Sequence, residues 1–300
     1  MIEVRRILCP VDFSDTSRLA LNHAVAIGRW YHSQITALHV IPPALLLQPP
    51  MVFFADPPRN PWAGPAEHQA LAEHLRAWLA PAIAAGLQTD VRVEDGNPAA
   101  RIVDCAAALP ADLLVIGTHG HSALERFLLG SVAEKVLRKA ACPVLTVPPA
   151  AVSTGTLPYK RLLCPIDFSE SSLSAFTFAC AIAKESDARL SLLHVFESVP
   201  AEDVLVARFD TPEFRRVVEQ QARQQLDALV TADIRTWCQP ETHVDHGKPY
   251  RRILEAAERE KADLIVIGVR GRNPLDVMLF GSTTNHVVRR ATCPVLTLKS

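Results

Sequence analysis

Two stretches of this 300-residue chain place glycines and hydroxyls at a spacing that suits anion binding. In GTHGHSALERFLLGS, running from Gly117 to Ser131, two glycines three residues apart are followed by nine residues and then Gly-Ser. GVRGRNPLDVMLFGS, from Gly268 to Ser282, repeats that spacing. Gly117 and Gly120 permit a tight turn and a close backbone approach. Gly130 and Ser131 stand at the start of a helix whose free N–H groups and positive dipole end favour an anion. The combination suits phosphate oxygens, and the Ser131 hydroxyl adds a donor.

A purely structural explanation competes with this one, because SVAE at Ser131 to Glu134 has the form of a capping box that would satisfy the helix's own N–H groups. The second copy has Asn285 in place of the glutamate, yet it keeps Gly268, Gly271, Gly281 and Ser282. Capping alone therefore does not explain the spacing. Neither loop is a G-x-x-x-x-G-K-[ST] or a G-x-G-x-x-G, and in HGKPY the lysine is followed by proline.

Each loop follows an apolar run, DLLVIG or DLIVIG, and this raises the question of what holds it. In the first half RILCPVDF, QITALHV, TDVRVED, ADLLVIG and CPVLTV are short, rich in Val, Ile and Leu, and bounded by turn residues, so they read as five strands. Helical periodicity fills the gaps at 14–30, 66–86, 99–109 and 132–140. Strands buried on both faces and separated by helices imply a parallel sheet with right-handed crossovers. The expected fold class is α/β, with two tandem doubly wound domains, each a five-stranded parallel sheet flanked by helices. In such sheets ligands sit beyond the carboxyl ends of the strands at the switch point. Asp12, ending the first strand, and the glycine loop, ending the fourth, are expected to face one crevice.

The two domains follow from an internal repeat. RRILCPVDFSDTS at Arg5 matches KRLLCPIDFSESS at Lys160, and ALHV matches LLHV at the same offset. DGNPAARI pairs with HGKPYRRI, ADLLVIGTHG with ADLIVIGVRG, and KAACPVLTV with RATCPVLTL, at an offset four residues shorter. The halves diverge after the second strand, where 41–65 carries eight prolines and reads as an irregular loop or lid. Boundaries are expected at 1–149 for the first domain, 150–158 for a linker and 159–300 for the second domain.

With 49% hydrophobic residues, 21% charged residues and a formal net charge of −1, nothing drives the chain toward nucleic acid or an anionic membrane. No apolar run reaches the ~18 residues of a membrane span, and the N-terminal apolar stretch is too short for a signal peptide. A cytoplasmic location is the expectation. The seven cysteines form no C-x-x-C pair and read as small buried apolar residues. His39 and His194 read as core histidines satisfied by backbone. In HVDH, His243 and His246 would point to opposite faces of a strand, which argues against a metal pair. No Ser-His-Asp set, Cys-His set or paired carboxylates can be nominated for catalysis.

A strand ending in PVDFS, a second strand ending in HV, and G-x-x-G followed by nine residues and G-S together resemble the universal stress protein family in its nucleotide-binding subgroup. The resemblance covers nearly the whole chain twice. It implies an ATP site in each half, with Asp12 and Asp167 at the nucleoside and the backbone of Val40 and Val195 at the adenine. Gly117, Gly120, His121, Gly130, Ser131 and Val132 would hold ribose and phosphates, as would Gly268, Gly271, Arg272, Gly281, Ser282 and Thr283. Mg²⁺ or Mn²⁺ would accompany the phosphates. The resemblance also implies pairing through the last strand, hence an intrachain pseudo-dimer of the two domains, with a homodimer as a further expectation. The implied function is an ATP-binding stress-response protein whose occupancy alters conformation or the binding of a protein partner. A slow ATPase and a nucleotide-independent interaction scaffold are the alternatives.

Overall fold

The computed structural model describes residues 3–43, 64–120, 129–152, 159–197, 211–238, 240–269 and 281–299. The chain divides into two compact units, Glu3–Leu157 and, apart from its first two residues, Pro158–Ser300.

The first unit contains β1 (Arg6–Pro10), α1 (Asp15–Tyr31), β2 (Gln34–Ile41), α2 (Pro65–Trp78), α3 (Ala80–Ala84), β3 (Thr89–Asp95), α4 (Pro98–Ala108), β4 (Leu113–Gly117), α5 (Ser131–Lys139) and β5 (Val144–Val147). Its strands lie in the order β3-β2-β1-β4-β5, and every pairing is parallel. The order reverses direction between β1 and β4, which makes that junction the switch point. The second unit repeats the plan with β6 (Arg161–Pro165), α6 (Glu170–Ser186), β7 (Arg189–Phe196), α7 (Pro212–Leu229), α8 (Ala232–Trp237), β8 (Glu241–His246), α9 (Pro249–Arg259), β9 (Leu264–Gly268), α10 (Ser282–Arg290) and β10 (Val295–Leu298). Its order is β8-β7-β6-β9-β10, again all parallel.

The central strands are buried on both faces, as the apolar runs require: Ile7, Leu8 and Cys9 on β1 and Leu114 and Val115 on β4 are within 1% of full burial. The edge strands depart from the expectation. β3 is half-buried along its length and β8 nearly so, because helices cover the sheet's faces while an edge keeps one open side. Six of the seven cysteines are buried as expected, and Cys142 is half-buried. Cys9 and Cys164 are completely enclosed, and desolvation pushes the Cys9 thiol up to about 12. Such thiols pack as apolar groups.

Two local features fix the frame beneath the switch point. The Asp112 carboxylate accepts hydrogen bonds from the Arg5 and Arg6 amides at 2.9 and 2.8 Å, and Asp263 does the same for Lys160 and Arg161 at 2.9 Å. Each pair ties the start of one central strand to the approach of the next. The helix expected over 66–86 is broken after Trp78, and the cause is Pro81, which lacks an N–H and cannot continue a helix without clashing with the preceding turn. The proline-rich lid falls mostly at 44–63 and much of the linker at 153–158, both outside the described residues. No helix among the described residues is long and apolar enough to cross a membrane.

Candidate functional site

The crevice begins where β1 stops. Val11 N–H donates to Leu38 O at 2.8 Å, the last rung between β1 and β2. Three residues then change the chain's direction. Asp12 Oδ1 accepts hydrogen bonds from the Ser14 amide at 3.0 Å and the Ser14 hydroxyl at 2.6 Å, an Asx turn. Phe13 takes a left-handed conformation with φ 65°, and Ser14 caps α1 by accepting from Ser17 N–H. The second half repeats this arrangement. Asp167 Oδ1 is held by Ser169 at 3.0 and 2.5 Å, Phe168 has φ 61°, and Ser169 caps α6.

His39 decides why the ladder ends there. Its Nδ1 lies 2.7 Å from Val11 O, the carbonyl that the next rung would use, and His194 Nδ1 stands at the same distance from Ile166 O. Desolvation lowers the pKa of His39, so the ring is neutral and Nδ1 carries the donating proton. These are the backbone-satisfied histidines expected from the sequence, and they do more than fill the core. Parallel pairing uses alternate residues of a strand on each side, so Val40 turns its amide and carbonyl toward the β1 side, beyond the point where His39 has closed that ladder.

The glycines meet each crevice from β4 and β9, and of the tight turn and close backbone approach expected of Gly117 and Gly120 it is the close approach that the structure has. None of Gly117, Gly120, Gly130, Gly268 and Gly281 has the positive φ that a glycine-specific turn needs. Close approach is what excludes a side chain. A Cβ on Gly117 would lie 2.9 Å from Thr16 Cγ2, and one on Gly268 would lie 2.6 Å from the Ser171 carbonyl carbon, so these two glycines seat strand ends against the first turn of α1 and α6. A Cβ on Gly120 would lie 2.5 Å from Asp12 Oδ2, which brings the loop and the aspartate together as the sequence implied. Gly130 N–H donates to Thr118 O at 2.7 Å and Gly281 N–H to Val269 O at 3.0 Å, pinning both helix starts to the strand ends.

The capping box does not form. Gly130 is the N-cap of α5, Ser131 is its first helical residue, and no side chain caps the helix. Ser131 is exposed and Val132 half-buried. α10 has the same start, with Gly281 as N-cap, no side-chain cap, and Ser282 and Thr283 in its first turn. Thr284 Oγ1 donates to Gly268 O at 2.8 Å, holding that turn to β9.

In the first half these groups surround a cavity of about 390 Å³ lined by Asp12, Val40, Gly117, Gly120, Gly130, Ser131 and Val132. Leu38, Pro42, Pro98, Ile102 and Ile116 supply an apolar wall that the motif reading missed. Its signal was present in DGNPAARI, the repeated stretch that opens α4. The remaining sequence candidates, His121, Gly271 and Arg272, lie outside the described residues. His243 and His246 sit on β8, where His246 packs edge-on against Phe196. Among the described residues, no three His, Cys, Asp or Glu side chains converge as a metal site.

This geometry has relatives. The model of the Universal stress protein family matches residues 3–148 and again 158–299. A universal stress protein of Methanocaldococcus jannaschii is 35% identical over 145 residues, spanning 48% of this chain and 81% of that protein. One from Mycolicibacterium smegmatis is 28% identical over 302 residues, covering 98% of this chain and 96% of its own length. The crystal structure of a universal stress protein from Archaeoglobus fulgidus shares the fold with a TM-score of 0.70 at 24% identity, covering 99% of this chain and 97% of that one. Two matched stretches, one in each half, establish that the chain belongs to the universal stress protein family, in a tandem form.

Proposed function

We propose that the first-half crevice binds an adenine nucleotide, ATP, and that the second half carries an equivalent site on Asp167, Val195, Gly268, Gly281, Ser282 and Thr283. The observation that supports this reading is the convergence of three different groups on one cavity of about 390 Å³: a clamped carboxylate, an unladdered strand backbone and an uncapped helix start. Each group suits one part of a nucleotide. Val40 offers a donor and an acceptor to the edge of a base, against the apolar wall from Leu38 and Ile102. Asp12 accepts from nucleoside hydroxyl or amino groups. Gly130, Ser131 and Val132 present helix N–H groups to phosphate oxygens, and a Cβ at Gly130 would press on Thr118 O at 3.1 Å, the carbonyl that pins this helix start.

Phosphates bound in this way bring Mg²⁺ or Mn²⁺ with them, and the metal neutralises phosphate charge. Asp12 Oδ1 is already committed to two hydrogen bonds from Ser14, which suits recognition better than proton abstraction, so any hydrolysis is slow. Occupancy then acts by changing conformation or the binding of a partner protein. The test is to denature freshly purified protein and to identify and count the nucleotide released per chain. About two ATP per chain supports both sites, and one supports a single site. None released, followed by no saturable binding on titration with ATP, sinks the reading and favours a nucleotide-independent scaffold.

A further inference from the structure

Two arginines in the second half stand over one aromatic ring, with a lysine at the N-cap of the helix that carries it. Tyr250, in the first turn of α9, stacks on His286 of α10 with ring centroids 4.4 Å apart and planes 26° from parallel. The guanidinium carbon of Arg290 lies 5.5 Å from the Tyr250 ring centre and that of Arg251 lies 5.9 Å from it. Arg251 Nε also donates to the Tyr250 hydroxyl at 3.1 Å. Lys248 stands at the N-cap of the same helix. All three cations are exposed. Among the described residues none of them has a carboxylate within ion-pair distance, whereas the adjacent Arg252 pairs with Glu255 at 2.8 Å and Arg259 with Glu260 at 2.8 Å. The hydrogen bond from Arg251, and then the charges of Arg251, Arg290 and Lys248, hold the Tyr250 phenol below its usual range.

The first half has the scaffold without the ring and two of the cations, although Lys139 matches Arg290 and Lys135 matches His286. Asn97, Ala99 and Ala100 occupy the positions of Lys248, Tyr250 and Arg251 in the repeat. Asn97 caps α4 by accepting from Ala100 N–H at 3.2 Å, and Ala99 is buried. At the matching position Lys248 makes no capping hydrogen bond. The second half has therefore exchanged a helix cap and two small residues for two cations and an aromatic platform. Ser282, His286 and Arg290 follow one another at four-residue steps, so they share a face of α10. His286, one turn from Ser282, and Arg290, two turns from it, thus lie on the face of α10 that begins at the helix start proposed to hold phosphate.

We infer that the α9–α10 surface of the second half is a phosphate-binding site, at which Lys248, Arg251 and Arg290 bridge the oxygens of a phosphomonoester or polyphosphate. Guanidinium forks match phosphate oxygens in pairs, and the Tyr250–His286 stack holds Arg251 and Arg290 beside one platform. Two sources share this chemistry. One is the distal phosphates of a nucleotide in the second-half crevice, which rests on the proposed function. The other is a separate phosphorylated small molecule, which does not.

Inorganic tripolyphosphate, titrated calorimetrically into the full-length chain, tests the site without adenine. Binding should weaken by roughly tenfold or more in R251A/R290A, with circular dichroism and melting unchanged because both side chains are exposed. K248N installs the first half's capping residue and should weaken binding less while keeping or strengthening α9. In an Asp12→Ala background, which isolates the second crevice, a fall in the ATP-to-AMP affinity ratio in R251A/R290A identifies the nucleotide as the source. An unchanged ratio with lost tripolyphosphate binding identifies a separate ligand. Tripolyphosphate binding lost in the variants while no ATP binds anywhere leaves this site standing and overturns only the nucleotide reading. Equal tripolyphosphate affinity in wild type and both variants overturns the inference. So does polyglutamate competing as well as tripolyphosphate, which marks a surface for acidic peptides.

Discussion

Gly120→Ala is the substitution that separates a binding role of the glycine loop from a packing role. The new Cβ would start 2.5 Å from Asp12 Oδ2, so the carboxylate must retreat by roughly 1 Å to reach ordinary contact distance. That movement strains the two hydrogen bonds that Ser14 donates to Oδ1. Hydrogen bonds to a charged group are worth about 1.5–3 kcal/mol each when shielded from water, and Asp12 is exposed, so a smaller loss of about 1–2 kcal/mol is expected. In affinity this is roughly a five- to thirtyfold increase in Kd for ATP. Stability should fall by no more than a similar amount, because the strained hydrogen bonds belong to the ligand-free fold, while alanine's restriction of the unfolded chain at a position without positive φ offsets part of the loss. The assay is calorimetric titration with ATP in an Asp167→Ala background, which leaves the first crevice as the site measured, together with a thermal melt. If the effect passes through Asp12, Gly120→Ala adds little to Asp12→Ala. A Kd within twofold of the parent, or fully additive losses, would refute the reasoning.

Two predictions concern stability. Gly268→Ala places a Cβ 2.6 Å from the Ser171 carbonyl carbon and 2.7 Å from Ser172 N, backbone atoms that cannot rotate away. The second unit should lose about 3 kcal/mol, read as a lower denaturant midpoint for that half, and an unchanged midpoint would show that α6 can shift without cost. His23 is 1% exposed, and burial lowers its pKa from 6.5 to about 4, with the Val152 backbone hydrogen bond opposing. Its folded pKa lies below its unfolded one, so the unfolded state binds the proton more readily. Stability is then intact above pH 6.5 and falls as the pH drops from 6.5 toward 4, by on the order of 3 kcal/mol in full. His23→Phe installs the residue that the repeat has at Phe178 and should flatten this part of the profile, and a variant with the same acid dependence would place the sensitive group elsewhere.

The strands were legible in the sequence because their cause is local: a short run of β-branched and aliphatic residues bounded by turn formers has few other structures open to it. TDVRVED corresponds to β3 residue for residue, and the other strands in the first half differ from their apolar runs only at the ends. Pro81 marked the break between α2 and α3 in plain view, but the apolar periodicity on either side masked it. The capping box failed for a different reason. Ser131 and Glu134 have the right spacing, yet the box requires Ser131 to sit one residue outside the helix, and the Gly130–Thr118 hydrogen bond starts the helix one residue too early.

The role of His39 was only half legible. Its burial follows from the run around it, but the fact that it closes the β1 ladder depends on a ring nitrogen reaching Val11 O, which no spacing within β2 reveals. Nor did the repeat point to the stack of Phe13 on His74, with centroids 4.3 Å apart and planes 5° from parallel, or to Trp78 at its edge. Both partners come from α2, in the segment where the two halves no longer align.

The clamp between Asp12 and Ser14 links recognition to helix formation. Ser14 both holds the carboxylate and caps α1, so the rotamer of Asp12 is chosen when the first turn of α1 forms, before any ligand arrives. Immobilising a side chain at the moment of binding costs roughly 0.5–1.5 kcal/mol, and here that ordering is completed during folding. The same coupling makes the first turn of α1 the place where the crevice loses its shape. Each time that turn frays, Asp12 regains its rotational freedom, and the fraction of chains competent to bind tracks the helicity of the first turn of α1.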